Sequence, residues 1–154
     1  MAKSGIKINL KGFEKMLADI QAAGRDVDAA AAQAITESAR VVEADLRTEA
    51  EESNVPAVIT ERITTQTMQS ADRYSAEVGW KLDTYNPQNP SAGYKAIFLN
   101  YGTVRRRTRL GYNRGAIPKR AVNQQFIYRA KQRAAPKVRK IQREVLRKIL
   151  GDLK

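Results

Sequence analysis

Apolar residues recur every three or four positions over two long stretches of the chain and alternate over a short one. Leu10, Phe13, Leu17 and Ile20, with Met16, predict a short amphipathic helix over about 10–23, with Gly24 as its stop. Ala31, Ile35, Ala39, Val42 and Leu46 form the stripe of a second helix over about 27–52, rich in helix-favouring alanine. Glu43 and Arg47 stand at i,i+4 on it, and Ser53, Asn54 and Pro56 end it. The rhythm then changes. Val58 to Met68, rich in Thr and Ile, reads as a strand; Gln69 to Asp72 reads as a turn. Tyr74, Ala76, Val78 and Trp80 share one face of a second strand, the antiparallel neighbour of the first. Asp83 to Gly93 is a loop dense in Asn, Pro and Gly, and Tyr94 to Tyr101 fits a strand or a helical turn equally. Ala130, Ala134, Val138, Ile141, Val145 and Ile149 predict a last helix over about 121–150. Pro136 either kinks that helix or opens a new one. The expected fold is α+β: long N-terminal and C-terminal helices packed on a small, mainly antiparallel sheet, in one domain over 1–154.

One stretch fits no such rhythm. GTVRRRTRLGYNRGAIPKR, residues 102–120, holds Arg105, Arg106, Arg107, Arg109, Arg114, Lys119 and Arg120 and no acid. It reads as a flexible basic loop, and about 19 residues folded back on themselves can reach roughly 30 Å. Its charge belongs to a wider asymmetry. Residues 1–50 carry seven Lys/Arg against eight Asp/Glu, residues 51–100 carry four against six, and residues 101–154 carry seventeen against two. The net charge of +12 therefore comes from the last third. Within the predicted last helix, Arg129, Lys131, Arg133, Lys137, Arg139, Lys140, Arg143, Arg147 and Lys148 make a basic polar face. Such a polycation calls for a polyanion or an acidic protein surface as neighbour. Close-set arginines suit bidentate contact with phosphate or carboxylate. With no base-reading motif in view, contact with nucleic acid would be to its backbone.

Other chemistry finds little support. The chain has no Cys and no His, which excludes disulfides and the Ser-His-Asp and Cys-His nucleophile systems and leaves no ordinary zinc ligand set. No Gly-rich phosphate loop is present. Glu51 and Glu52 are adjacent at a helix end, and Glu37, Glu43, Asp45 and Glu49 read as a solvated helix face. The expectation is a non-enzyme without cofactor. No apolar run has the length of a signal peptide or a membrane span, so a soluble chain without a leader is expected.

Several segments, in order, resemble the small tail-completion, or head–tail joining, proteins of tailed bacteriophages. YKAIFLNYGT is similar to that family's tyrosine-alanine…tyrosine-glycine-threonine signature, through Tyr94, Ala96, Tyr101, Gly102 and Thr103. INLKGFEKMLADI resembles the family's opening into a first helix. VPAVITERI resembles its proline…Thr-Gly-Arg-Leu stretch, through Pro56, Thr60, Arg62 and Ile63. Glu61 stands where that family has glycine, and Asn100 where it has an acid. SAEVGW and GAIPKRAVNQQF match a strand ending in Val-Gly and a proline-led entry to the C-terminal helix. The resemblance implies a structural virion protein of the neck, assembled in the host cytoplasm into a homo-oligomeric ring, commonly sixfold. It implies a head-completion or adaptor protein on one side, a tail terminator or tail tube on the other, and packaged DNA passing through the channel. It implies no membrane. The alternative is a stand-alone nucleic-acid-binding protein that uses the basic last third.

Replacing Arg105, Arg106, Arg107 and Arg109 together by Ser should leave the melting temperature unchanged, because exposed charges add little to stability. Head–tail joining or DNA retention should fall. Unchanged melting together with fully infectious particles would mark the cluster as a solvated run.

Overall fold

Alternation of Ile6 and Ile8 on the inner face with Lys7 and Asn9 on the outer makes the first strand, β1, Gly5–Asn9. In this computed structural model, which describes residues 4–70, 73–102 and 125–151, five helices and three strands follow the α+β plan expected from the sequence. Gly12, at φ +94, turns the chain out of β1. Helix α1 therefore spans Glu14–Ala22 and not 10–23; Leu10 and Phe13 are buried ahead of it. The Glu14 carboxylate accepts the Gly12 N–H at 3.0 Å.

Helix α2, Val27–Glu52, starts on Asp26, whose carboxylate accepts the N–H groups of Asp28 and Ala29. It ends at Ser53, with Asn54 left-handed and the Val55 N–H returning to the Ala50 carbonyl, as the expected stop requires. The strand expected from Val58 is, over Ala57–Thr60, a single helical turn, α3. Pro56 supplies the fixed φ that starts a turn, and its carbonyl accepts the N–H groups of Ile59 and Thr60. Arg47 then donates to the carbonyls of Thr60 and Ile63, and the Trp80 Nε1–H donates to the Ile59 carbonyl at 2.7 Å. These tertiary bonds override the β propensity of Val58, Ile59 and Thr60.

Strand β2 spans Thr64–Ser70 and pairs antiparallel with β3, Arg73–Gly79, with Thr65 opposite Val78 and Thr67 opposite Ala76. β1 pairs antiparallel with the other side of β3, giving the order β1-β3-β2. The core face carries Ile6, Ile8, Ala76 and Val78, with Tyr74 half-buried beside them. Burial and a hydrogen bond to Asp28 push the Tyr74 phenol up to about 12. β2 lies at the edge and is exposed at all seven positions.

Residues 94–101, which fit a strand or a helical turn equally by sequence, lie in helix α4, Ala92–Tyr101, which begins two residues inside the expected loop. Helix α5 spans Phe126–Gly151 and runs unbroken through Pro136. That proline sits on the exposed side of the helix, away from the packed stripe. The first four positions of the predicted helix, 121–124, lie outside the described residues. α2 packs across β3 on one side and along α5 on the other. Buried alanines on α2 (Ala30, Ala31, Ala34, Ala39, Ala50) and α5 (Ala130, Ala134) allow close approach. Trp80 meets the Phe126 ring edge-on at 6.0 Å, tying the end of β3 to the start of α5.

At Gly79 a Cβ would run into the Ser4 carbonyl and the Gly5 Cα, both backbone. Gly79→Ala should therefore lower the unfolding free energy by about 1–3 kcal/mol, the usual scale of overpacking. Gly151→Ala, with open space around it, should not destabilise. Denaturant unfolding of both variants checks this.

Candidate functional site: a tethered basic segment and a divided basic helix

The described residues on either side of the basic segment lie beside one buried residue, Asn100, in the last turn of α4. α4 ends at Gly102, which takes φ +77 and returns its N–H to the Phe98 carbonyl at 2.8 Å. The chain re-enters the described structure at Gln125, whose N–H donates to the Asn100 carbonyl at 3.3 Å. The Asn100 Oδ1 then accepts the Ile127 N–H at 2.9 Å, satisfying one of the free donors at the start of α5. Asn100 is 2% exposed, and its Nδ2 has no partner among the described residues. Gly102 and Gln125, which flank the 22 residues from 103 to 124, are thus neighbours in the fold. Thr103, Arg105, Arg106, Arg107, Arg109, Arg114, Lys119 and Arg120 fall within them, outside the described residues.

The other family-like positions fall at structural turning points. Pro56 precedes α3, and Thr60 is buried at its end, its hydroxyl turned to the Pro56 carbonyl. Arg62 is exposed just beyond. Ala96 is buried in α4, Tyr94 is half-buried with its ring against Tyr85 at 4.9 Å, and Tyr101 is exposed. α3 packs against α4, so two of the segments that carry the resemblance are neighbours in space. Between them opens a cleft of about 620 Å³, lined by Ile59, Arg62, Trp80, Ala92 and Lys95 among others.

The basic face of α5 is not uniform. Arg129, Arg133 and Lys137 turn onto two acids of α2. Lys137 Nζ donates to both Asp45 oxygens, at 2.7 and 2.9 Å. Arg129 Nε donates to Glu49 Oε2 at 2.9 Å and its Nη2 to the Ser53 hydroxyl; Arg133 Nη1 reaches Glu49 Oε1 at 3.3 Å. Asp45 and Glu49 are each only 7% exposed. They are therefore not the solvated face expected from the sequence but the receptor of a charge clasp, and they lie at i,i+4 beside the apolar stripe. The pairing steps down α2 as it steps up α5, so the two helices are antiparallel. The second half of α5 differs. Arg139, Arg143 and Arg147 are exposed and have no ion pair among the described residues, and Lys140 meets only Glu144, at 3.9 Å. Of the face named from the sequence, Arg133 and Lys137 belong to the clasp, whereas Lys140, Arg143 and Arg147 point outward.

Among the described residues no group of acids is placed to hold a metal ion, and no helix is long and apolar enough to cross a membrane. No family model, curated protein or solved structure matches the chain.

Truncating a clasp cation leaves a buried carboxylate short of a donor, so Lys137→Ala should cost about 1–2 kcal/mol. Arg143→Ala, an exposed change, should stay within about 0.5 kcal/mol. Urea unfolding of the pair tests the division; equal losses would contradict it.

Proposed function

We propose that this chain is a ring-forming structural subunit of a phage neck, a tail-completion protein that joins the head–portal–adaptor stack to the tail tube and flanks the DNA channel. The observation that carries this reading is the closure of the basic segment at Asn100. A stretch of 22 residues has seven cations and no acid, the described residues on either side of it, Gly102 and Gln125, lie beside Asn100, and a charge with no acid of its own calls for an anionic neighbour. The resemblance in order along the chain says what that neighbour is: the next subunit, the adjoining ring, or packaged DNA. Asn100 fits this reading as well. At the position where the resembling family has an acid, the Asn100 side-chain oxygen accepts a backbone N–H of the last helix, a bond that a carboxylate oxygen can also accept.

The alternative, a stand-alone nucleic-acid-binding protein, draws on the outward arginines of α5. Assembly separates the two. By light scattering and negative-stain electron microscopy, the purified chain should form closed rings, alone or on isolated tail tubes. A strict monomer that joins neither tails nor heads would refute the neck reading.

A further inference from the structure

We infer that the second half of α5 is a docking ridge for the phosphate backbone of double-stranded nucleic acid, formed by Arg139, Lys140, Arg143 and Arg147. At 100° per residue these four fall within a 100° arc of the helix, opposite the stripe of Val138, Ile141, Val145 and Ile149 that packs inward. Arg139, Arg143 and Arg147 rise in steps of about 6 Å, so the ridge is about 12 Å long. From residue 138 to 151 the helix carries five cations and one acid. Three arginines of like charge on adjacent turns repel one another, and no ion pair among the described residues relieves them. The first half of the same helix shows the contrast, since Arg129, Arg133 and Lys137 already have buried carboxylates of their own.

The ridge favours a nucleic acid over an acidic protein because of what it lacks. Protein interfaces are anchored by aromatic or aliphatic side chains in a dry centre. Among the described residues the exposed large apolar side chains are Val58, Met68, Leu82, Tyr85, Tyr101 and Tyr128. None lies on the ridge, and Tyr128 is three turns before Arg139. An all-cationic, regularly spaced, fully hydrated face without anchors matches a backbone polyanion, bound without reading sequence. This inference rests on the neck reading only for where the duplex comes from; the contact itself is tested apart from assembly.

The test uses the full chain and a labelled 20-base-pair duplex of random sequence, with affinity measured by anisotropy between about 50 and 200 mM salt. Each phosphate contact contributes about 0.9 to the slope of log affinity against log salt. The triple variant Arg139→Gln, Arg143→Gln, Arg147→Gln should therefore lose about 2.7 of slope and bind at least tenfold more weakly at about 100 mM salt. Its melting temperature should stay that of the wild type. A control with the same charge loss elsewhere on the surface, Lys7→Gln, Lys11→Gln, Lys15→Gln, should keep the slope. A wild-type slope in the ridge variant, or an equal loss in the control, overturns the inference. So does displacement of the duplex by poly-glutamate at matched charge concentration, which would assign the ridge to an acidic protein. Ring formation scored in the same samples keeps a failure of the neck reading distinct from a failure of the ridge.

Discussion

Two carboxylates that are nearly out of water set the register of this fold. Asp45 and Glu49 sit on the wall where α2 meets α5, and burying a carboxylate without a donor is costly. Arg129, Arg133 and Lys137 meet them from α5 in four-residue steps. A slip of α5 by one residue would turn those cations by 100° and leave both acids unpaired. The alanines that line the two helices permit many sliding positions; the charges select one. The rest of the molecule hangs on this pair. α2 carries β3 and the sheet on its other side, Arg47 of α2 fixes α3, and α5 reaches the edge of β1, where Gln142 donates to the Asn9 carbonyl.

That selection divides the positive charge of the last third of the chain. Part of it is consumed inside the subunit, as the partner of the α2 acids. The remainder on α5, in its outward half, has no buried carboxylate to meet among the described residues. A subunit that must hold a stable body while presenting charge to its surroundings gains from keeping the two apart. Mutations in the first set should act on folding, and on the proposed reading mutations in the second should act on assembly or on DNA. A ring-forming joining subunit beside packaged DNA has use for both.

Much of the fold was legible in the sequence. The stripes Ala31–Leu46 and Ala130–Ile149 gave α2 and α5, and the alternation at Tyr74–Val78 gave β3, because burial on one face writes a period into the chain. Three features were not legible. β1 offered only five residues, with its signal confined to Ile6 and Ile8 between polar neighbours. The strand expected from Val58 was lost to long-range bonds from Arg47 and Trp80, which no local window contains. α4 fits a strand or a helical turn equally because its apolar run, Tyr94 to Tyr101, is too short to favour one period. The candidate site was legible in composition but not in geometry. Counting charges revealed the basic last third. Which cations are spoken for depended on Asp45 and Glu49 being buried, and their positions look like any solvated helix face. Asn100 carried only a weak sign, a polar residue where the resembling family places an acid.

The most direct test of this account is a reconstruction by electron cryomicroscopy of virus particles containing the chain. The account predicts a closed ring of subunits in the neck, α2 and α5 clasped within each subunit, with Arg139, Arg143 and Arg147 facing the density of the DNA. A chain absent from the neck, or a ring in which those arginines turn away from the channel into solvent, would contradict it.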